Sequence, residues 1–438
     1  MGPTGAGLLV LVGLLALLAI GTPIAFALGA VSVAALLLTE GMGSLDILGE
    51  TFFGGLASFS LVSIPMFILM GAAVASSPAG KDLYEALDRW LNRVPGGLVL
   101  SNLGACSIFA ALSGSSPATC AAIGKMGIPE MVGRGYPKEI AAGSIAAGGT
   151  LGILIPPSIT MIVYGISTET SIGRLFMAGI FPGLMLTAMF MIWTLIDCRR
   201  RGYVFSSFSG RYTMREKLMA LPRILPFLAI IVGVLYVLYG GIATPSEAAG
   251  AGALLCLVLV VVIYRMWRAG PILAMFRDTL RESVMIMMII GASELFAFTL
   301  SLLFITQSIA GWIGDLEVNR WVLMAVINLF LLLAGFFLPP VAVILMTAPI
   351  LLPIITQAGF DPYWFAVILT INMEIGLITP PVGLNLYVIN GIAPDITLGQ
   401  ILRGSLPYVL CMVLGIVVLC FFPGIATWLP NAMMGAAQ

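Results

Sequence analysis

Gly148-Gly149-Thr150-Leu151-Gly152-Ile153-Leu154-Ile155-Pro156-Pro157-Ser158 returns, altered, as Asn372-Met373-Glu374-Ile375-Gly376-Leu377-Ile378-Thr379-Pro380-Pro381-Val382. Each copy interrupts a long apolar segment with two adjacent prolines. Proline has no amide hydrogen, its ring clashes with the preceding turn, and it pushes the residue before it towards an extended backbone, so a helix must open at each site. In hydrocarbon an unpaired amide costs several kcal/mol, and open backbone survives only where protein buries it or a watery cavity meets it. The two breaks therefore predict a binding site at mid-membrane depth, with the breaks facing each other around it.

The composition around these stretches points the same way. Of 438 residues 60% are hydrophobic and 9% charged, and the mean hydropathy is +1.11; a soluble domain carries about 25% charged residues. Segment after segment approaches the ~20 apolar residues that cross a bilayer core. The expected fold class is an all-α polytopic membrane protein. Twenty basic residues balance twenty acidic ones, and no stretch is dense enough in Lys and Arg to suggest nucleic acid. The lack of histidine excludes a histidine proton relay, a Ser-His or Cys-His nucleophile and nearly every zinc site. Cys106, Cys120, Cys198, Cys256, Cys411 and Cys420 show no metal-ligand spacing and read as small hydrophobes. Residues 8–20 followed by Ala25-Phe26-Ala27 mimic a signal peptide, but no positive charge precedes the apolar run. A retained first helix is expected.

Self-similarity extends well beyond the double prolines. Thr22-Pro23 matches Thr244-Pro245, Gly71-Ala72 matches Gly291-Ala292, Pro129 matches Pro353, Gly135-Tyr136 matches Gly359-Phe360, and Ser171-Ile172-Gly173-Arg174 matches Thr397-Leu398-Gly399-Gln400. The ordered series predicts two repeats, 1–196 and 224–438, joined by a polar linker over 197–223. Charge sets their orientation, because Lys and Arg in short loops mark the cytoplasmic side. The linker carries Arg199, Arg200, Arg201, Arg211, Arg215, Lys217 and Arg223 against Asp197 and Glu216, so it belongs inside. A later loop bearing Arg265, Arg268, Arg277 and Arg281 is also basic, while its counterpart at 39–51 holds Glu40, Asp46 and Glu50 with no basic residue. Matching loops then lie on opposite faces, which requires inverted-topology repeats.

Residues 53–77 read as one crossing, followed by Lys81-Asp82-Leu83-Tyr84-Glu85-Ala86-Leu87-Asp88-Arg89-Trp90-Leu91-Asn92-Arg93, whose apolar residues share one helical face as in a helix lying at the interface. Its twin is expected over 307–320. Residues 97–133 are too short for two spans and are interrupted by Leu112-Ser113-Gly114-Ser115-Ser116-Pro117-Ala118-Thr119, which predicts a re-entrant hairpin. A second hairpin is expected over 321–358, with Gly335-Phe336-Phe337-Leu338-Pro339-Pro340 at its tip. Broken helices follow at about 140–165 and 363–390. The total is about ten crossings and two hairpins, with both termini outside.

Hairpin tips meeting broken helices bring together helix N-termini, which favour anions, and freed carbonyls, which favour cations. A cation, Na⁺, is expected at the Ser113 and Ser116 hydroxyls with carbonyls around Gly152, Ile155 and Pro157, and again at Thr379 with carbonyls around Gly335, Gly376 and Val382. The anion is expected against Ser115, Pro156, Ser158, Glu374, Pro380 and Asn385. The alternative for the same small residues is tight helix packing. Charges at membrane depth carry a functional default, and three stand out: Lys125, Glu294 and Glu374. Glu374 either serves the site directly or makes internal hydrogen bonds, and Lys125 either serves the hairpin or snorkels to the inner surface. No catalytic residue, cofactor or metal other than Na⁺ is expected.

The Leu112–Thr119 stretch, Ile128-Pro129-Glu130-Met131 with Gly135-Tyr136, Ile155-Pro156-Pro157-Ser158, Phe176-Met177-Ala178-Gly179-Ile180 with Pro182-Gly183, and the run from Glu374 to Asn385 resemble the large membrane subunit of TRAP transporters, the tripartite ATP-independent periplasmic systems. The resemblance covers essentially the whole chain. It implies an elevator-type transporter in a bacterial inner membrane that carries a small organic acid with Na⁺. It also implies two partners besides the lipid bilayer, a small four-helix membrane subunit and a periplasmic substrate-binding protein. Pro339-Pro340 departs from the resemblance, which implies a polar or acidic residue before the proline at the second tip. A stand-alone carboxylate carrier of the divalent anion/sodium symporter type shares the architecture. An intramembrane enzyme would need a histidine base or paired aspartates that the chain lacks.

Overall fold

The computed structural model describes residues 2–202, 212–315 and 318–435. Among them every regular element is helical. The first half comprises α1 (Pro3–Ala19), α2 (Ile24–Thr39), α3 (Leu48–Leu56), α4 (Ser63–Ala75), α5 (Ala79–Leu91), α6 (Gly97–Ser113), α7 (Ser116–Gly133), α8 (Lys138–Thr150), α9 (Ile159–Ser167) and α10 (Ile172–Arg200). The second comprises α11 (Met214–Tyr239), α12 (Pro245–Val262), α13 (Ala269–Leu302), α14 (Ile305–Asp315), α15 (Arg320–Phe337), α16 (Pro340–Gln357), α17 (Pro362–Leu377), α18 (Leu384–Ile392), α19 (Leu398–Phe421) and α20 (Gly424–Met434). Arg211 and most of the linker before it lie outside the described residues, as do residues 316–317 of the expected interfacial twin.

Among the described residues seven helices are long and apolar enough to cross a membrane alone, or eight counting one bent pair. That is fewer than the ten crossings expected, because α1 and α2 have only 17 and 16 residues and the broken segments divide into shorter pieces. The crossing expected at 53–77 is a correction. It bends by 55° between Met42–Leu56 and Phe59–Ala75, whereas its counterpart α13 runs unbroken for 34 residues. The loop expected to hold Arg277 and Arg281 is likewise helical, inside α13.

Local chemistry explains the matched sequence pairs. Ser171 and Thr397 are N-caps whose hydroxyls accept from the amides of Arg174 and Gln400, opening α10 and α19. Gly135 (φ 84°) and Gly359 (φ 76°) close α7 and α16 in the left-handed region. The following amides, of Tyr136 and Phe360, reach back to the carbonyls of Met131 and Ile355, the double bond pattern that a glycine C-cap permits.

Contacts between the halves come in matched sets: α2 on α13 with α4 on α12, α1 on α14 with α5 on α11, α8 on α19 with α10 on α17, and α9 on α16 with α7 on α18. In the interior, the indole of fully buried Trp364 donates to the Leu419 carbonyl at 2.9 Å. The Tyr164 hydroxyl donates to the Pro362 carbonyl at 3.1 Å. The outside is apolar, with Leu8, Leu11, Val232, Leu254, Leu329 and Leu410 among many exposed large side chains, a surface suited to lipid rather than water.

Candidate functional site: two hairpin tips and two broken helices

The first tip is the turn Gly114-Ser115 between α6 and α7, and it lies on the first break. A Cβ at Gly114 would come within 2.9 Å of the Pro157 carbonyl, and one at Gly152 within 2.7 Å of the Ser115 carbonyl. Only glycine permits such backbone-on-backbone approach. The helix lost at the break is restarted by Ser158, whose hydroxyl donates to the Ile153 carbonyl and accepts from the Met161 amide. Both double prolines contain a cis bond, Pro156-Pro157 and Pro380-Pro381.

The tip gathers hydroxyls. Ser113 Oγ and Thr119 Oγ1 are 2.8 Å apart, both bond the Ser115 carbonyl at 3.3 and 2.9 Å, and Ser116 Oγ donates to the Thr150 carbonyl at 3.2 Å. Such a set of neutral oxygens is the donor chemistry that a hard cation takes, so the residues present fit Na⁺. Thr119 belongs to this group and escaped the sequence assignment, although it closes the very octapeptide that drew attention to the tip.

The second tip also meets its own break. A Cβ at Gly376 would run into the Gly335 carbonyl, and the Val382 amide donates to the Phe336 carbonyl at 3.2 Å. No hydroxyl stands at this tip, where Leu338-Pro339-Pro340 replaces the serines. The Thr379 hydroxyl donates to the Ile375 carbonyl of its own helix at 2.6 Å. Pro380, Pro381 and Val382 are exposed, unlike the buried Pro156 and Pro157. The two breaks thus differ in cover, the first buried and the second open at its prolines.

A cavity of about 580 Å³ joins the four parts. Ser115 and Ser116 of the first tip, Ile153 and Ile159 flanking the first break, Pro339 and Pro340 of the second tip, and Leu377 and Leu384 flanking the second break all line it. The start of α2 at Thr22-Pro23 and the Glu282 to Ile289 side of α13 complete the wall. Glu282 went unnoticed in the sequence because the basic residues beside it read as loop.

The other expected site residues fall around this cavity rather than on it. Ile155 packs against Gly183. Glu374 and Asn385 are fully buried; Glu374 has no hydrogen-bond partner for either carboxylate oxygen among the described residues. Asn385 donates to the Ala146 carbonyl at 3.3 Å while its own oxygen stays unpartnered. Asn372, beside Glu374, bonds Asn328. Glu294 lies against Gly55 of α3. At the membrane edge, Arg134 at the end of α7 pairs with Glu130 at 2.6 Å and with Asp88 of α5 at 3.5 Å. Burial pushes the Asp88 carboxyl above its ordinary value, and the Arg134 guanidinium opposes that rise.

Comparison with known proteins places this geometry in context. Residues 11–425 match the family described as tripartite ATP-independent periplasmic transporter, DctM component. The chain is 39% identical to the C4-dicarboxylate TRAP transporter large permease protein DctM of Pseudomonas aeruginosa, over 85% of this chain and 86% of that one. It is 30% identical to the sialic acid TRAP transporter large permease protein SiaM of Vibrio cholerae, over 97% and 99%. Among solved structures it is similar to the YdaH transporter of Alcanivorax borkumensis, with a TM-score of 0.65 at 18% identity over 92% of this chain and 91% of that one, a likeness of fold alone.

Proposed function

This chain belongs to the DctM component family of tripartite ATP-independent periplasmic transporters, and on that premise we propose that it takes up a small organic acid with Na⁺ across a bacterial inner membrane. It is a multi-pass transporter permease, not an enzyme. Partners follow from a tripartite system: a periplasmic binding protein that delivers the solute and a small membrane subunit. The observation that carries the reading is the single cavity bounded by both tips and the flanks of both breaks. A carboxylate there faces the N-termini of α7 and α16, where unpaired amides and the helix dipole favour negative charge. Na⁺ is held by Ser113 and Ser116 with the neighbouring carbonyls at the first break, and by the Thr379 oxygen with the carbonyls of Gly335, Gly376 and Val382 at the second. Substrate selection follows the carboxylates in the relatives' names.

The two halves are inverted repeats, and the matched contact sets between them support this. The hairpins and broken helices, stitched together by α8 on α19 and α10 on α17, move as one body against α1–α5 and α11–α14. Carrying a whole site past a fixed wall spares the site from being rebuilt at each turnover.

The test is uptake of labelled succinate into proteoliposomes holding this chain with its small subunit and binding protein. Accumulation should require an inward Na⁺ gradient. Ser113→Ala and Ser116→Ala should each raise the Na⁺ concentration for half-maximal rate by roughly tenfold, as expected for the loss of one ligand to a charge, with no loss of folded protein. Equal accumulation with and without Na⁺ would overturn the coupling.

A further inference from the structure

Beside the central cavity lies a second one of about 420 Å³. The two share Ser115, Ile159 and Glu282, so the second begins where the first ends. It runs from the first tip, at Ser113 and Ser115, to Ser76, Ser77 and Lys81 at the start of α5. Three helix faces wall it. On α7 the lining residues are Ala118, Ala121, Ala122, Lys125 and Met126, spaced as one stripe of a helix. On α4 they include Gly71, Ala72 and Ala75, so small side chains on both walls keep the passage wide. On α13 they are Met275, Asp278 and Glu282, one turn or two apart.

The charges in this passage are unevenly spent. Lys81, at its mouth, pairs with Glu85 at 3.8 Å. Lys125 is exposed and makes no ion pair or hydrogen bond among the described residues. Asp278 and Glu282 on the facing wall likewise form no ion pair there. A carboxylate leaving the central cavity must pass these two acids, which repel it, and Lys125 on the opposite wall is the one cation of the passage that is not already paired.

We propose that this passage is the release path to the cytoplasm and that Lys125 is an anion way-station in it, holding the departing carboxylate on the α7 wall while Asp278 and Glu282 draw the accompanying cation along the α13 wall. The assignment of the path to the cytoplasmic side rests on the function proposed above; the anion site itself does not. Lys125 is thus a positioning residue for release, distinct from the residues assigned to the central site. The small residues above it matter as much, because a bulky side chain at Ala121 or Ala122 would close the passage at the level of the lysine.

The test separates the two readings. In the full chain reconstituted in nanodiscs, Ala122→Cys is exposed to a negatively charged and a positively charged methanethiosulfonate reagent of similar size. With Lys125 present the anionic reagent should react at least fivefold faster than the cationic one, relative to a small free thiol, and succinate should slow it. Adding Lys125→Ala should abolish or reverse that preference, because only acids remain, while Lys125→Arg should keep it. A charge preference that is the same with alanine at 125 overturns the proposal, and marks Lys125 as a lysine reaching for the membrane surface. In proteoliposomes, Lys125→Ala should lower the maximal rate of succinate uptake about tenfold and leave the Na⁺ concentration for half-maximal rate unchanged. A wild-type rate in that variant also overturns it. Absence of Na⁺-driven uptake in the unsubstituted protein, together with the expected labelling pattern, would instead refute the coupling and leave the anion site standing.

Discussion

Glu374 concentrates the physical problem of this molecule in one side chain. It is fully buried, its carboxylate oxygens accept nothing from the described residues, and an ionised carboxylate buried without a partner is strongly destabilising. Its counterpart in the first half is Thr150, which solves the same burial by donating its hydroxyl to the Ala147 carbonyl. Eleven residues, about three turns of α17, separate Glu374 from Tyr363, and Tyr363 packs under Arg174 of α10. Glu374→Gln should keep or raise the melting temperature in detergent while succinate uptake falls at least tenfold. A melting temperature lower by several degrees would mark the residue as structural. Its place was visible in the sequence as a lone acid beside a double proline, but its isolation was not, since that depends on which helices close over it.

At the scale of the element, close backbone contact decides where the hairpins can sit. Gly152→Ala places a methyl 2.7 Å from the Ser115 carbonyl, and forced overpacking of this kind costs about 1–3 kcal/mol. Gly29→Ala in α2 meets nothing within 4 Å and should be neutral or slightly stabilising. Thermal melts of the two variants check the contrast, and equal midpoints would show that tip and break are not in contact. The helix breaks were legible because proline acts locally, through its own ring and missing amide. So were the caps at Ser171, Thr397, Gly135 and Gly359, which announced themselves as matched pairs. The 55° bend between α3 and α4 was not legible. No proline or charge stands at Ala57-Ser58, and residues 53–77 read as one continuous apolar crossing. The exposure of Pro380 to Val382 also escaped the sequence, because a double proline predicts an opening but not what covers it.

At the scale of the whole molecule, the exterior is apolar, and the proposed mechanism has an inner body of tips and broken helices moving past an outer one. The membrane character and the family were readable from composition and from motifs that span the chain. The proposed orientation of each half rests on loop charge, to which Arg211, outside the described residues, belongs. Which helices wall the passage beside the first tip depends on segments far apart in sequence, α4 and α7 on one side and α13 on the other, and no local pattern discloses that. Ser115 stands at the junction, lining both the central cavity and the passage. The most direct measurement is therefore modification of Ser115→Cys by a membrane-impermeant thiol reagent applied from each side of oriented proteoliposomes. Labelling should proceed from the cytoplasmic side alone without ligands, become available from the periplasmic side once Na⁺ and the loaded binding protein are added there, and be slowed by succinate. Labelling from both sides at once, or from one side under every condition, would contradict a central site carried alternately between the two faces.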